Sequence, residues 1–151
     1  MFLASISSEK IRLMDSVLYK KQHKDGEKPV YDPDKFKEMI EKEEPKLRGL
    51  FDELVASTDP QNKNFATNQQ NKKKIVMVCY YLAGFNNKFV SNAKEDVGFL
   101  LNASGTSASA IEALANAGFT VRRETIQKQM NQLVKSHHTT VKDYLVENVI
   151  F

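Results

Sequence analysis

A chain of 151 residues is long enough to bury about two-thirds of its unfolded surface, so one domain with its own core is expected. A net charge of +3, from 22 basic and 19 acidic residues, is too small to imply a nucleic-acid partner by itself. A lone cysteine excludes an intrachain disulfide framework and fits a reducing compartment.

The N-terminus, "MFLASISSEKIRLMDSV", has no basic run ahead of an apolar stretch and does not read as a secretory signal. Apolar residues recur at three and four positions rather than two, and no Asn-Gly or Asp-Gly hairpin turn occurs, which predicts an all-α fold. About seven or eight helices are expected, arranged as a multi-helix bundle with a C-terminal helix-turn-helix-like hairpin.

The first predicted helix covers residues 7–24, with Ile11, Met14 and Leu18 on one stripe and Gly26 as its stop. Asp32 is placed to cap a second helix whose first residue is Pro33, where the missing N–H costs nothing, and Phe36, Met39 and Ile40 face inward. Pro45 cannot continue that helix and is expected to open another, with Leu47, Leu50, Phe51, Leu54 and Val55 inward.

Residues 59–71, "DPQNKNFATNQQN", are polar and turn-rich and read as an exposed linker or loop between an N-terminal part, 1–58, and a C-terminal part, 72–151. The two parts are expected to make one compact domain. Lys72, Lys73 and Lys74 read as a solvated helix start ahead of "IVMVCYYLAGF", a helix apolar nearly all round. That apolar run is too short for a bilayer, which needs about 20 residues, so no membrane partner is expected. Cys79 lies inside it and reads as an inert core thiol.

The next helix is expected to bury Phe89, Val90, Ala93, Val97 and Leu100 or Leu101, and to stop at Gly105. Ser107 then caps a short alanine-rich helix with Ile111 and Leu114 as its seam and Gly118 just past its end. Phe119 and Val121 read as the apolar pegs of the following turn. The last predicted helix runs from about residue 122 to 137, with Ile126, Met130, Leu133, Val134 and His137 as a continuous inward stripe.

The outer face of that helix is polar, long-armed and nearly free of acid, which suits contacts to base edges and phosphates. Arg122, Arg123, Thr125, Lys128, Asn131, Gln132 and Lys135 are the candidate DNA-binding residues. In a helix-turn-helix the second helix enters the major groove by its N-terminal end, so the arginines, Thr125 and Lys128 would lead. Glu124 cuts against this unless it pairs with Lys128 four residues on.

Catalytic chemistry finds no support. Glu41, Glu43, Glu44, Asp52 and Glu53 sit on amphipathic helices as solvated faces, and no Glu-x-x-His pattern accompanies them. Adjacent His137 and His138 point to different sides of a helix and do not share a metal; His137 reads as a helix-end residue near the last carbonyls. Neither a phosphate-binding glycine loop nor a nucleophile elbow is present. No enzyme activity, cofactor, metal or small-molecule substrate is expected.

The succession "PKLRGLFDELV", "NKKKIVMVCYYLAGFNNKFV" and "VGFLLNASGTSASAIEALANAGFTVRRETIQKQMNQL" resembles the N-terminal region of large transposon-derived proteins abundant in fungal and simple-animal genomes. The resemblance runs from about residue 45 to 145. It implies a DNA-engaging or assembly region with Gly105, Ser107 and Gly118 as framework residues, of the kind that in those proteins stands ahead of the catalytic part. The turn "GFTVRRETI" is longer than in compact repressors and resembles the trihelical DNA-binding modules of transposases. A non-catalytic, intracellular, nuclear or cytoplasmic DNA-binding domain is the leading expectation, with double-stranded DNA as partner. The rival is a protein–protein module in which the alanine-rich helix 107–117 and Phe119 form a homodimer seam or dock a partner helix.

Overall fold

The computed structural model describes residues 6–85 and 87–148. It is all-helical, with seven α-helices and no strand among the described residues. No helix there is long and apolar enough to cross a membrane. The N-terminal segment read for a secretory signal lies partly outside the described residues.

Helix α1 spans Ser8–Tyr19, and the Ser7 hydroxyl accepts the Lys10 N–H at 3.2 Å to cap it. A single π-type turn, Lys20–Lys24, carries it on to the stop at Gly26. α2, Pro33–Glu43, opens on the Asp32 carboxylate, which accepts the Lys35 N–H at 2.9 Å. Pro45 does break the helix, but it opens only a 3₁₀ turn, Pro45–Leu47, which leads to Gly49 at φ +83°. Only after that does α3, Leu50–Ala56, begin.

The 59–71 segment differs from the expected loop. A 3₁₀ turn at Pro60–Asn62 is followed by α4, Phe65–Gly84, capped by the Asn64 side chain on the Thr67 N–H at 2.8 Å. Nothing between Phe65 and Gly84 breaks a helix, so the Asn/Gln-rich stretch becomes the solvated first turns of the longest helix in this part. Lys72, Lys73 and Lys74 therefore lie inside α4 rather than at its start. α5, α6 and α7 follow at Asn92–Ala103, Ala108–Asn116 and Arg123–Asn148.

The chain divides into two compact units, Met1–Ala93 and Lys94–Phe151. The first has a continuous core to which α1, α2, α3 and α4 all contribute, with Met14, Leu18, Phe36, Ile40, Leu50 and Val76 at its centre. Phe36 packs its ring against Tyr80 and Phe51, with centroids 5.3 and 6.1 Å apart. The buried Tyr80 hydroxyl accepts the Val30 N–H at 2.7 Å and donates to the Val30 carbonyl at 3.1 Å. One phenol thus satisfies both backbone groups of a residue that belongs to no helix. Cys79 is fully buried, and that burial pushes its thiol up from 9.0 to about 12, as expected of an inert core residue.

Phe89 is not core. It lies before α5, half exposed, with its ring stacked on His23 at 5.1 Å and tilted against Tyr19 at 6.2 Å. Val90 and Ala93 are buried as expected, Leu101 is half-buried, and Leu100 is 67% exposed.

Candidate nucleic-acid interface

The second unit is built on α5, α6 and α7. α6 starts at Ser107, whose hydroxyl accepts the Ala110 N–H at 3.3 Å. It ends in a Schellman arrangement: the Phe119 N–H reaches the Leu114 carbonyl and the Gly118 N–H the Ala115 carbonyl, both at 3.0 Å. Gly118 holds φ +85°, a conformation cheap only for glycine. Gly105 closes α5 by the same pattern, its own N–H and that of Thr106 reaching Asn102 and Leu101.

Between α6 and α7 the buried peg is polar. Thr120 is 4% exposed and donates its hydroxyl to the Lys94 carbonyl at 3.2 Å, whereas Phe119 is 54% exposed and Val121 half-buried. A threonine fits because its methyl packs while its hydroxyl meets an α5 carbonyl. Phe119 and Val121 were the expected pegs, and the alternation of the turn puts Phe119 on the outside instead.

α7 opens at Arg123, and the Ile126 N–H reaches back to the Arg122 carbonyl at 3.2 Å. The Glu112 carboxylate of α6 accepts the Arg123 N–H at 2.9 Å and so caps the helix from outside its own sequence. Ile126 is buried against α5, where Gly98 leaves room for it. Met130 is half-buried and its sulfur accepts the Asn102 amide N–H at 2.8 Å. The Gln129 amide donates to the Glu95 carboxylate of α5.

The expected inward stripe stops there. Leu133 is 59% and Val134 66% exposed, and His137 is exposed as well. The reason is length. The 26 residues of α7 extend about 39 Å, whereas the 12-residue α5 and 9-residue α6 extend about 18 and 14 Å and cannot cover its whole length; Glu95, Asp96 and Phe99 of α5 reach as far as Leu133 and Ser136, with which they line a shallow pocket. His137 is mid-helix, because α7 continues to Asn148 instead of ending at 137.

The outer face fares as the spacing predicts. Arg122, Arg123, Lys128, Asn131, Gln132 and Lys135 are exposed, and Thr125 is half-buried. Arg123, Lys128, Asn131, Gln132 and Lys135 share one shallow open surface with Glu124 and Gln127. Gln127 donates its amide to the Asn131 carbonyl oxygen at 3.2 Å, which holds the two amides side by side along the helix. Glu124 is exposed, and among the described residues it makes no ion pair with Lys128. The surface therefore presents three cations, Arg123, Lys128 and Lys135, and three amides against one carboxylate. Thr125 is set apart on the flank, and Arg122 precedes the helix.

Three positioning residues had no motif to announce them: Glu112, Thr120 and Gly98. Glycine inside an apolar helix was the one available signal, since it marks close approach of a neighbour. No group of three or more His, Cys, Asp or Glu side chains among the described residues is placed to hold a metal ion. No protein-family model, curated protein or solved structure matches the chain.

Proposed function

We propose that the second unit binds double-stranded DNA through the outer face of α7 and catalyses nothing, as a helix-turn-helix-like region of a transposon-derived protein. The supporting observation is the shared exposed surface of Arg123, Lys128, Asn131, Gln132 and Lys135, in which cations and amides meet a single acid. Guanidinium groups make bidentate contacts to guanine or clamp phosphates, and side-chain amides read adenine edges. α6, the Gly118 turn and α7 then correspond to a bracing helix, a turn and a recognition helix. A nuclear location follows from this reading.

The test is fluorescence anisotropy with a labelled duplex at low salt. The affinity is expected to fall with salt at a log–log slope of about −0.9 per phosphate neutralised. Arg122→Ala with Arg123→Ala should weaken binding while leaving the melting temperature nearly unchanged, because both side chains are exposed. Flat titrations at low salt reject the proposal.

A further inference from the structure

We infer that Asn131 reads adenine in the major groove and that Gln127 positions it, which makes the outer face of α7 selective for A·T pairs. Both roles rest on the reading of α7 as the DNA-contacting helix; they add which base is selected and through which atoms. The observation behind them is the Gln127 amide, which donates to the Asn131 carbonyl oxygen at 3.2 Å. Both side chains are exposed, and both lie on the surface shared with Arg123, Lys128 and Lys135.

At about 100° per residue, Asn131 lies about 140° round the helix from the buried Ile126, close to the middle of the outer face. Lys128 and Lys135 lie about 60° and 40° to one side of it, and Arg123 about 80° to the other. A helix in the major groove turns the middle of its outer face to the base edges and its borders to the phosphates. An amide in the middle with cations on both borders matches that division. Glu124 stands almost in line with Asn131, two turns nearer the helix start. A carboxylate repels phosphate, so base edges are what this line can face. Gln132 is placed less well, about 100° from Asn131, and it also borders the shallow pocket with Glu95, Asp96 and Leu133.

Adenine shows a donor at N6 and an acceptor at N7, and one side-chain amide meets both, its oxygen accepting from N6 and its nitrogen donating to N7. The last torsion of a solvated asparagine is broad and roughly two-fold, so a free amide presents either end. Gln127 removes that choice: its donation fixes which end of the Asn131 amide is oxygen. Oδ1 keeps a second lone pair for the N6 hydrogen, and Nδ2 supplies the donor for N7. Guanine has acceptors at both O6 and N7, so the same orientation sets Oδ1 against O6. An amide already held in place also loses less freedom on binding than one that must be ordered there.

The test is anisotropy of the full chain at low salt with three duplexes of one length: alternating A·T, alternating G·C, and A·T with 7-deazaadenine, in which carbon replaces N7, at every adenine. The A·T duplex is expected to bind about 5- to 150-fold more tightly than the G·C duplex, the worth of one bidentate pair. Most of that preference should vanish on 7-deazaadenine. Asn131→Ala should abolish it while leaving the G·C affinity and the circular dichroism unchanged, because the side chain is exposed. Gln127→Ala should shrink the preference, and should add nothing to Asn131→Ala, since Gln127 acts only through Asn131. A helix-stabilising pair with no part in reading would leave the preference untouched. Equal affinity for A·T and G·C, a preference that survives 7-deazaadenine or Asn131→Ala, or losses that add in the double variant overturn the inference while the DNA reading stands. No binding to any of the three duplexes rejects that reading and the inference with it.

Discussion

A Cβ placed on Gly98 would stand 2.8 Å from Cδ1 of Ile126, and 2.6 Å from the Thr120 hydroxyl oxygen. α5 and α7 approach so closely because a hydrogen occupies the spot where every other residue has a methyl group or more. The buried isoleucine and the buried threonine both lean on that vacancy.

Gly98→Ala therefore sets two effects against each other. Alanine favours the helix by about 1 kcal/mol, while forcing a methyl into this contact costs about 1–3 kcal/mol. Overpacking is expected to win, because Ile126 and Thr120 are both buried and the Thr120 hydroxyl is held by the Lys94 carbonyl. Hydrogen exchange should show faster exchange in α5 and the first turns of α7, with α1 to α4 unchanged. Equal or slower exchange in α7 would show that the contact relaxes without strain.

Glu112 makes a different kind of trade. Its carboxylate holds the Arg123 N–H at 2.9 Å, at the helix end that the proposed interface turns toward phosphate. Glu112→Gln keeps a carbonyl oxygen for that N–H and removes the negative charge. Duplex affinity at low salt should rise by about 0.3–1 kcal/mol, the usual worth of one charge at a helix end, and the gain should shrink as salt is added. Unchanged or weaker binding at low salt would place the phosphates elsewhere.

Cys79 gives a pH dependence with a definite sign. Burial raises its folded-state pKa from 9.0 to about 12, so the folded chain keeps the thiol proton where the unfolded chain releases it. Its stabilising share is full below about pH 9 and is lost as pH rises towards 12, by up to about 1.4 kcal/mol per unit. Urea unfolding at several pH values should show a steeper alkaline decline for the native chain than for Cys79→Ala. Parallel declines would mean that the thiol is not dry. The comparison between the two chains cancels every other contribution to the alkaline decline.

Local chemistry accounts for most of what could be read from the sequence. The caps at Ser7, Asp32 and Ser107, the breaks at Gly26 and Pro45, and the glycine stops after α5 and α6 depend on residues within one turn of one another. The exposure of Arg123, Lys128 and Lys135 follows from helical spacing alone. What periodicity could not supply is the reach of the neighbours. Leu133, Val134 and His137 lie on the predicted stripe, yet they stay exposed, and α5 comes no nearer than a shallow pocket shared with Leu133. Phe89 failed for a related reason, since it precedes α5 and packs on Tyr19 and His23 instead of entering the core. The polar 59–71 segment misled because Asn and Gln read as loop formers, although one asparagine cap is enough to start α4 at Phe65.

The Tyr80 hydroxyl ties Val30 across fifty positions of sequence. During synthesis α1 and α2 leave the ribosome well before α4 does. The surface that they pack on, with Val76, Cys79, Tyr80 and Ala83, does not yet exist at that point. Long-range closures of this kind delay the folding transition until the later element arrives. The N-terminal half of the first unit is thus expected to stay a nascent segment until α4 has emerged to serve as its scaffold.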